Sequence, residues 1–135
     1  MHDGKTPIDL EAYRALTGKI IGCAMQVHRV MGSGFQEVIY QRALAIELAQ
    51  CEVSAQRELE MPIFYRQQEI GSRRVDFLVE EVVLVELKAV SALNETHHAQ
   101  IINYLEAYRL PIGLLINFGG PSLEFKRFVK TRPAY

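Results

Sequence analysis

Between Asp76 and Lys88 the chain reads D-F-L-V-E-E-V-V-L-V-E-L-K, a strand, a tight turn and a second strand. Val75, Phe77, Val79, Val83, Val85 and Leu87 give the apolar content of strands buried on at least one face. Asp76 stands on the first arm, while Glu86 and Lys88 stand one residue apart on the second. Strand side chains alternate, so Glu86 and Lys88 project from one face, about 7 Å apart along the strand. Two acids and a lysine placed there carry a desolvation cost unless something pairs with them. A divalent cation would satisfy both carboxylates.

Register decides whether the acids meet, because cross-strand partners share a face. A two-residue turn at Glu80-Glu81 would pair Asp76 with Val85 and send the carboxylates to opposite faces. A three-residue loop, or one bulge, sets Asp76 directly opposite Glu86. That odd register is the expectation, and a metal site depends on it. The competing reading is an exposed charged face, against which Leu78 and Leu84 on that same face count.

The rest of the chain frames this hairpin. Its 135 residues suit one domain able to bury about two-thirds of its extended-chain surface. Apolar residues at 49% and charged residues at 23% are ordinary for a globular cytoplasmic protein. No apolar run approaches the ~20 residues of a membrane span, and the N-terminus lacks a signal-peptide core, so no membrane partner is expected. Cys23 and Cys51 are too few and too isolated for a disulfide framework or a zinc site, and read as buried thiols or incidental ones. A net charge of −1 gives no overall positive field toward nucleic acid. Arg73 and Arg74, and a second cluster at Lys126, Arg127, Lys130 and Arg132, fit solvated faces as readily as a phosphate-binding surface.

Residues 1–15 read as an N-terminal tail or accessory helix and 16–135 as a single domain. A helix over 17–31, capped by Thr17, places Ile20, Ala24, Val27 and Met31 in one stripe. Gly32-Ser33-Gly34 breaks it, and a second helix covers 36–50. Strand-like sequence follows at 53–59 and 63–66 around Pro62, with a polar turn at 67–71. After the hairpin, Asn94 or Thr96 can cap a helix to Arg109, stopped by Pro111. The apolar run 112–118 suits a central strand, and 123–129 a last one. The order α-α-β-β-β-α-β-β predicts an α/β domain with a central mixed sheet flanked by helices, its strand–helix–strand unit a right-handed parallel crossover.

An Asp followed ten residues later by Glu-x-Lys, on adjacent strands that lead into a helix, resembles the core of PD-(D/E)XK nucleases. Glu37, in the first turn of the second helix, stands where many members carry another metal-site acid. Gln100-x-x-x-Tyr104 resembles the Q-x-x-x-Y helix of RecB-type exonucleases. Gly34-Phe35-Gln36-Glu37-Val38-Ile39-Tyr40 is similar to the GxxExxY signature of a small bacterial and archaeal family in that superfamily, as are Val27-His28, residues 86–90 and residues 114–118. Val75 replaces the proline of the PD element.

The resemblance implies a restriction-endonuclease-like fold and metal-dependent hydrolysis of phosphodiesters, leaving a 5′-phosphate, with DNA ahead of RNA as polymer. Asp76, Glu86, the carbonyl of Leu87 and Glu37 would hold Mg²⁺ or Mn²⁺, and Lys88 would position the nucleophile. Gln100, Tyr104 and Tyr40 would support these groups or touch a phosphate. The alternative is a nuclease-like fold serving as a non-catalytic nucleic-acid- or protein-binding module, alone, as a homodimer or with a partner protein.

Overall fold

The computed structural model describes residues 10–130. Two helices, α1 (Leu10–Met31) and α2 (Glu37–Gln50), precede β1 (Ala55–Tyr65), β2 (Gln68–Val79) and β3 (Val83–Lys88). Then come α3 (Glu95–Tyr108), β4 (Ile112–Asn117) and β5 (Glu124–Val129). The five strands form one mixed sheet in sequential order. Only β3 and β4 run parallel, and α3 joins them.

Alternation along the strands divides the core in two. Val83, Val85 and Leu87 of β3 pack with Ile20, Ala24, Val27, Tyr40, Leu44 and Leu48 of α1 and α2. Leu84 packs on the other face with Ile101 and Leu105 of α3. The helices therefore flank the sheet, and β4, buried at every residue, lies between them. This is the α/β arrangement that the order of periodic segments implies.

Several local expectations change. Thr17 does not cap a helix; it lies inside α1, where its hydroxyl donates to the Tyr13 carbonyl at 2.8 Å and accepts from Arg127 Nε at 2.8 Å. No breaker separates residues 10–16 from the following stripe, and Tyr13 and Leu16 pack on the same core. Of the segment read as a tail or accessory helix, residues 10–15 continue α1 and residues 1–9 lie outside those described, as does Arg132. Pro62 does not interrupt β1, because β1 is an edge strand that tolerates a missing donor. The turn before β2 is narrower than 67–71: Arg66 and Gln67, both at positive φ, close a two-residue connection between Tyr65 and Gln68. Of the two cysteines Cys23 is buried and Cys51 exposed, their sulfurs 3.6 Å apart. Burial, first of all, pushes the Cys23 thiol up to about 12.

The far end of β3 is anchored by Asn117. Its side chain accepts from the Val90 and Gly119 N–H groups and donates to the Val90 carbonyl and to Glu124. Gly119 presses against the same segment, where a Cβ would stand 2.2 Å from the Val90 carbonyl oxygen. These contacts hold the chain immediately after Lys88 in place.

Candidate active site

The β2–β3 connection has the odd register. Phe77 pairs with Val85, Leu78 with Leu84 and Val79 with Val83, leaving Glu80, Glu81 and Val82 as a three-residue loop. Glu80 and Glu81 both adopt positive φ. Continued one step, this register sets Asp76 opposite Glu86. The ladder stops at Phe77 and Val85, and side chains take its place in the fork. The Asp76 N–H donates to Glu86 Oε2 at 3.2 Å, and the Leu87 N–H donates to Asp76 Oδ2 at 2.8 Å.

A distortion of β2 and β1 opens this fork. Val75 packs with the α3 cluster, whereas Phe77 and Val79 pack with the α1/α2 cluster, so the alternation switches faces at Asp76. Opposite this point Glu58 holds a φ of 56° inside β1, and the Glu58–Asp76 rung is missing from the ladder. A non-glycine residue in that conformation within a strand is uncommon and re-aims its neighbours.

Two side chains from other elements fix the carboxylates. Gln41 of α2 is buried, donates from Nε2 to Asp76 Oδ1 at 2.8 Å and accepts from Arg57 Nη1 at 3.2 Å. Arg73 of β2 places Nη2 2.8 Å from Glu86 Oε1, and its guanidinium lies 5.4 Å from the centre of the Tyr104 ring on α3. Glu86 is only 3% exposed. Burial, and then the charge of Asp76, push its carboxyl up to about 7, against the opposing pull of Arg73, the Asp76 N–H and Lys88.

The residues singled out from sequence separate into groups. Asp76, Glu86 and the backbone of Leu87 are in direct contact, and half-buried Lys88 lies on the Glu86 side of β3. Tyr104 reaches them through Arg73. Glu37 is exposed one helical turn before Gln41, on the α2 face that Gln41 turns toward Asp76. Gln100 is exposed one turn before Tyr104. Tyr40 is fully buried; its hydroxyl donates to the Gly32 carbonyl and accepts from the Phe35 N–H, while its ring stacks on Phe118 at 4.6 Å. It thus ties the Gly32–Gly34 turn to α2. Gln41 was not singled out, and Arg73 was noted only for charge. A glutamine in register with Leu44 and Leu48 on a buried stripe was the available signal for the first.

Among the described residues no three His, Cys, Asp or Glu side chains form a group able to hold a metal ion. The donor set nevertheless suits a hard divalent cation. Half-buried Asp76 and buried Glu86 each accept from the other strand's backbone, and burial first, then the Asp76 charge, raises the Glu86 carboxyl. In a strand a residue's N–H and C=O leave by the same edge, so the Leu87 carbonyl opens on the Asp76 side. These are the oxygen donors that Mg²⁺ takes, with water completing the shell.

A family model described as the PD-(D/E)XK nuclease superfamily matches residues 14–128. Among solved structures, one titled "Crystal structure of SSO0001" has a TM-score of 0.56 at 19% identity, with 70% of this chain and 50% of that chain covered. The chain therefore spans about half the length of that structure, and the likeness concerns the fold. No curated protein sequence matches the chain.

Proposed function

The chain belongs to the PD-(D/E)XK nuclease superfamily, and on that premise we propose that it is a Mg²⁺- or Mn²⁺-dependent nuclease, acting on DNA ahead of RNA. The observation that carries the proposal is the cross-linked pair in the fork, Asp76 bonded to Leu87 N–H and Glu86 to Asp76 N–H, with Lys88 on the next outward position of β3. Asp76, Glu86 and the Leu87 carbonyl would hold the ion, and Glu37 would contribute through water. When bound, the cation supplies Lewis acidity and neutralises charge building on the phosphate.

The chain's own groups do the rest. Gln41 clamps Asp76 in one orientation. Lys88 places a positive charge beside Glu86, where it positions the attacking water and contacts the scissile phosphate. The Gly34–Tyr40 segment, on which membership of the GxxExxY family rests, sets the start of α2 and so aims Glu37 and Gln41. Gln100 and Tyr104 line the α3 side. A cytoplasmic location belongs to the same proposal, as does a single domain that takes in the whole of α1; no described helix is long and apolar enough to cross a membrane.

Cleavage assays on single- and double-stranded DNA and RNA with Mg²⁺ or Mn²⁺ test it, paired with metal-induced thermal shifts. Lys88→Ala should lower turnover by about 10²-fold or more while leaving the metal-induced shift. Glu86→Gln should remove both. Absence of cleavage on all substrates together with no metal-induced shift would sink the catalytic reading. The second reading, a non-catalytic module binding nucleic acid, a partner protein or a second copy, draws on the exposed Phe64, Tyr65 and Ile70 at the tip of the β1–β2 hairpin. An inert protein that still pulls down nucleic acid or dimerises through that tip would favour it.

A further inference from the structure

We propose that Arg73 is an internal stand-in for the divalent cation: a positioning residue that holds Glu86 in the metal-free protein and competes with the metal for it. The proposal rests on the reading of Asp76 and Glu86 as a metal site. Glu86 Oε2 is engaged by the Asp76 N–H and Oε1 by Arg73. An incoming cation therefore meets a carboxylate whose outer oxygen is already paired with a positive charge. Two cations a few ångströms apart repel each other strongly in partly buried surroundings, so metal and guanidinium cannot both sit at full contact with Glu86.

The two partners differ in their freedom to move. The Glu86 side chain is 4% exposed and the Arg73 side chain 34%, so the arginine is the one able to withdraw. Two other contacts retain it when it does. Its Nη1 donates to the Arg74 carbonyl at 2.9 Å, and the Tyr104 ring lies beneath the guanidinium, an attraction that needs no carboxylate. The released guanidinium thus stays beside the site, where its planar fork suits a phosphate. This assigns Tyr104 of the Q-x-x-x-Y helix a specific task, as the rest for Arg73 rather than a contact to the ion.

Titration calorimetry of Mg²⁺ into the full chain at about pH 8 tests this, with Arg73→Gln and Arg73→Lys beside the wild type. Arg73→Gln should bind Mg²⁺ about tenfold more tightly, the change that about 1.4 kcal/mol produces, although its metal-free form melts lower. Arg73→Lys should fall between the two, and because it keeps the charge it carries the test if Arg73→Gln does not fold. A purely architectural arginine would instead weaken binding when replaced. Affinity equal to or below wild type in both variants overturns the role of Arg73 and leaves the metal site standing. No binding in any of the three removes the metal site and this role together. Binding by Arg73→Gln where the wild type shows none supports it.

Discussion

Replacing Glu86 by glutamine should make the metal-free protein gain stability relative to wild type as the solution turns alkaline, while removing metal binding. The carboxyl rises from its usual 4.5 to about 7 in the folded chain, by burial first and the Asp76 charge second. Between those two values the unfolded chain has released this proton and the folded chain still holds it. Unfolding free energy therefore falls by about 1.4 kcal/mol per pH unit across that window. The stability this group contributes is complete below about pH 4.5 and lost once the pH has risen through about 7, a total of about 3 kcal/mol. Glutamine keeps one oxygen, which can accept from Arg73 or from the Asp76 N–H but not from both, and it cannot ionise. Urea unfolding in EDTA should find the stability of the variant relative to wild type rising by about 3 kcal/mol from the acid end to about pH 8, on top of a pH-independent cost for the lost acceptor. Excess Mg²⁺ should then shift the balance back toward the wild type, because only the wild type gains by binding. A difference between the proteins that stays flat from acid to alkaline pH would refute the buried, repelled Glu86 on which the reasoning rests.

Gln41→Ala removes the donor to Asp76 Oδ1 and frees Arg57; Mg²⁺ affinity by calorimetry should fall about 10- to 100-fold with the fold intact by circular dichroism. Asn117→Leu strands the Val90 N–H and carbonyl and should lower stability in urea by about 2–4 kcal/mol. Gly119→Ala drives a Cβ to within 2.2 Å of backbone at Val90, with an expected loss of at least about 2 kcal/mol and a shift in amide exchange around residues 88–91.

Much of the architecture was legible because it is written in short periods. The 2- and 3.6-residue repeats lie within single segments, so element order, the end of α3 before Pro111 and the buried strand β4 follow from neighbours along the chain. The odd β2–β3 register was legible for a different reason: only a three-residue loop or a bulge lets Asp76 and Glu86 meet. Thr17 misled because its residue type favours a cap, while Tyr13 and Leu16 find the same core and extend the helix past it. Gly71 suggested a turn, yet Arg66 and Gln67 take the positive φ values and Gly71 pairs with Ile63 in the strand.

By itself, then, the chain's sequence determined an α/β order, two acids on adjacent strands and a lysine two residues beyond the second. Tertiary structure alone decided how those acids are held. Gln41 comes from α2, Arg73 from the arm before the fork and Tyr104 from α3, and nothing in their local spacing joins them. It also decided the proton affinity of Glu86, since burial and the nearness of the Asp76 charge exist only once β2 and β3 are packed between the helices. Alternation can place a charge on a face, but desolvation and pairing depend on residues far away in the chain.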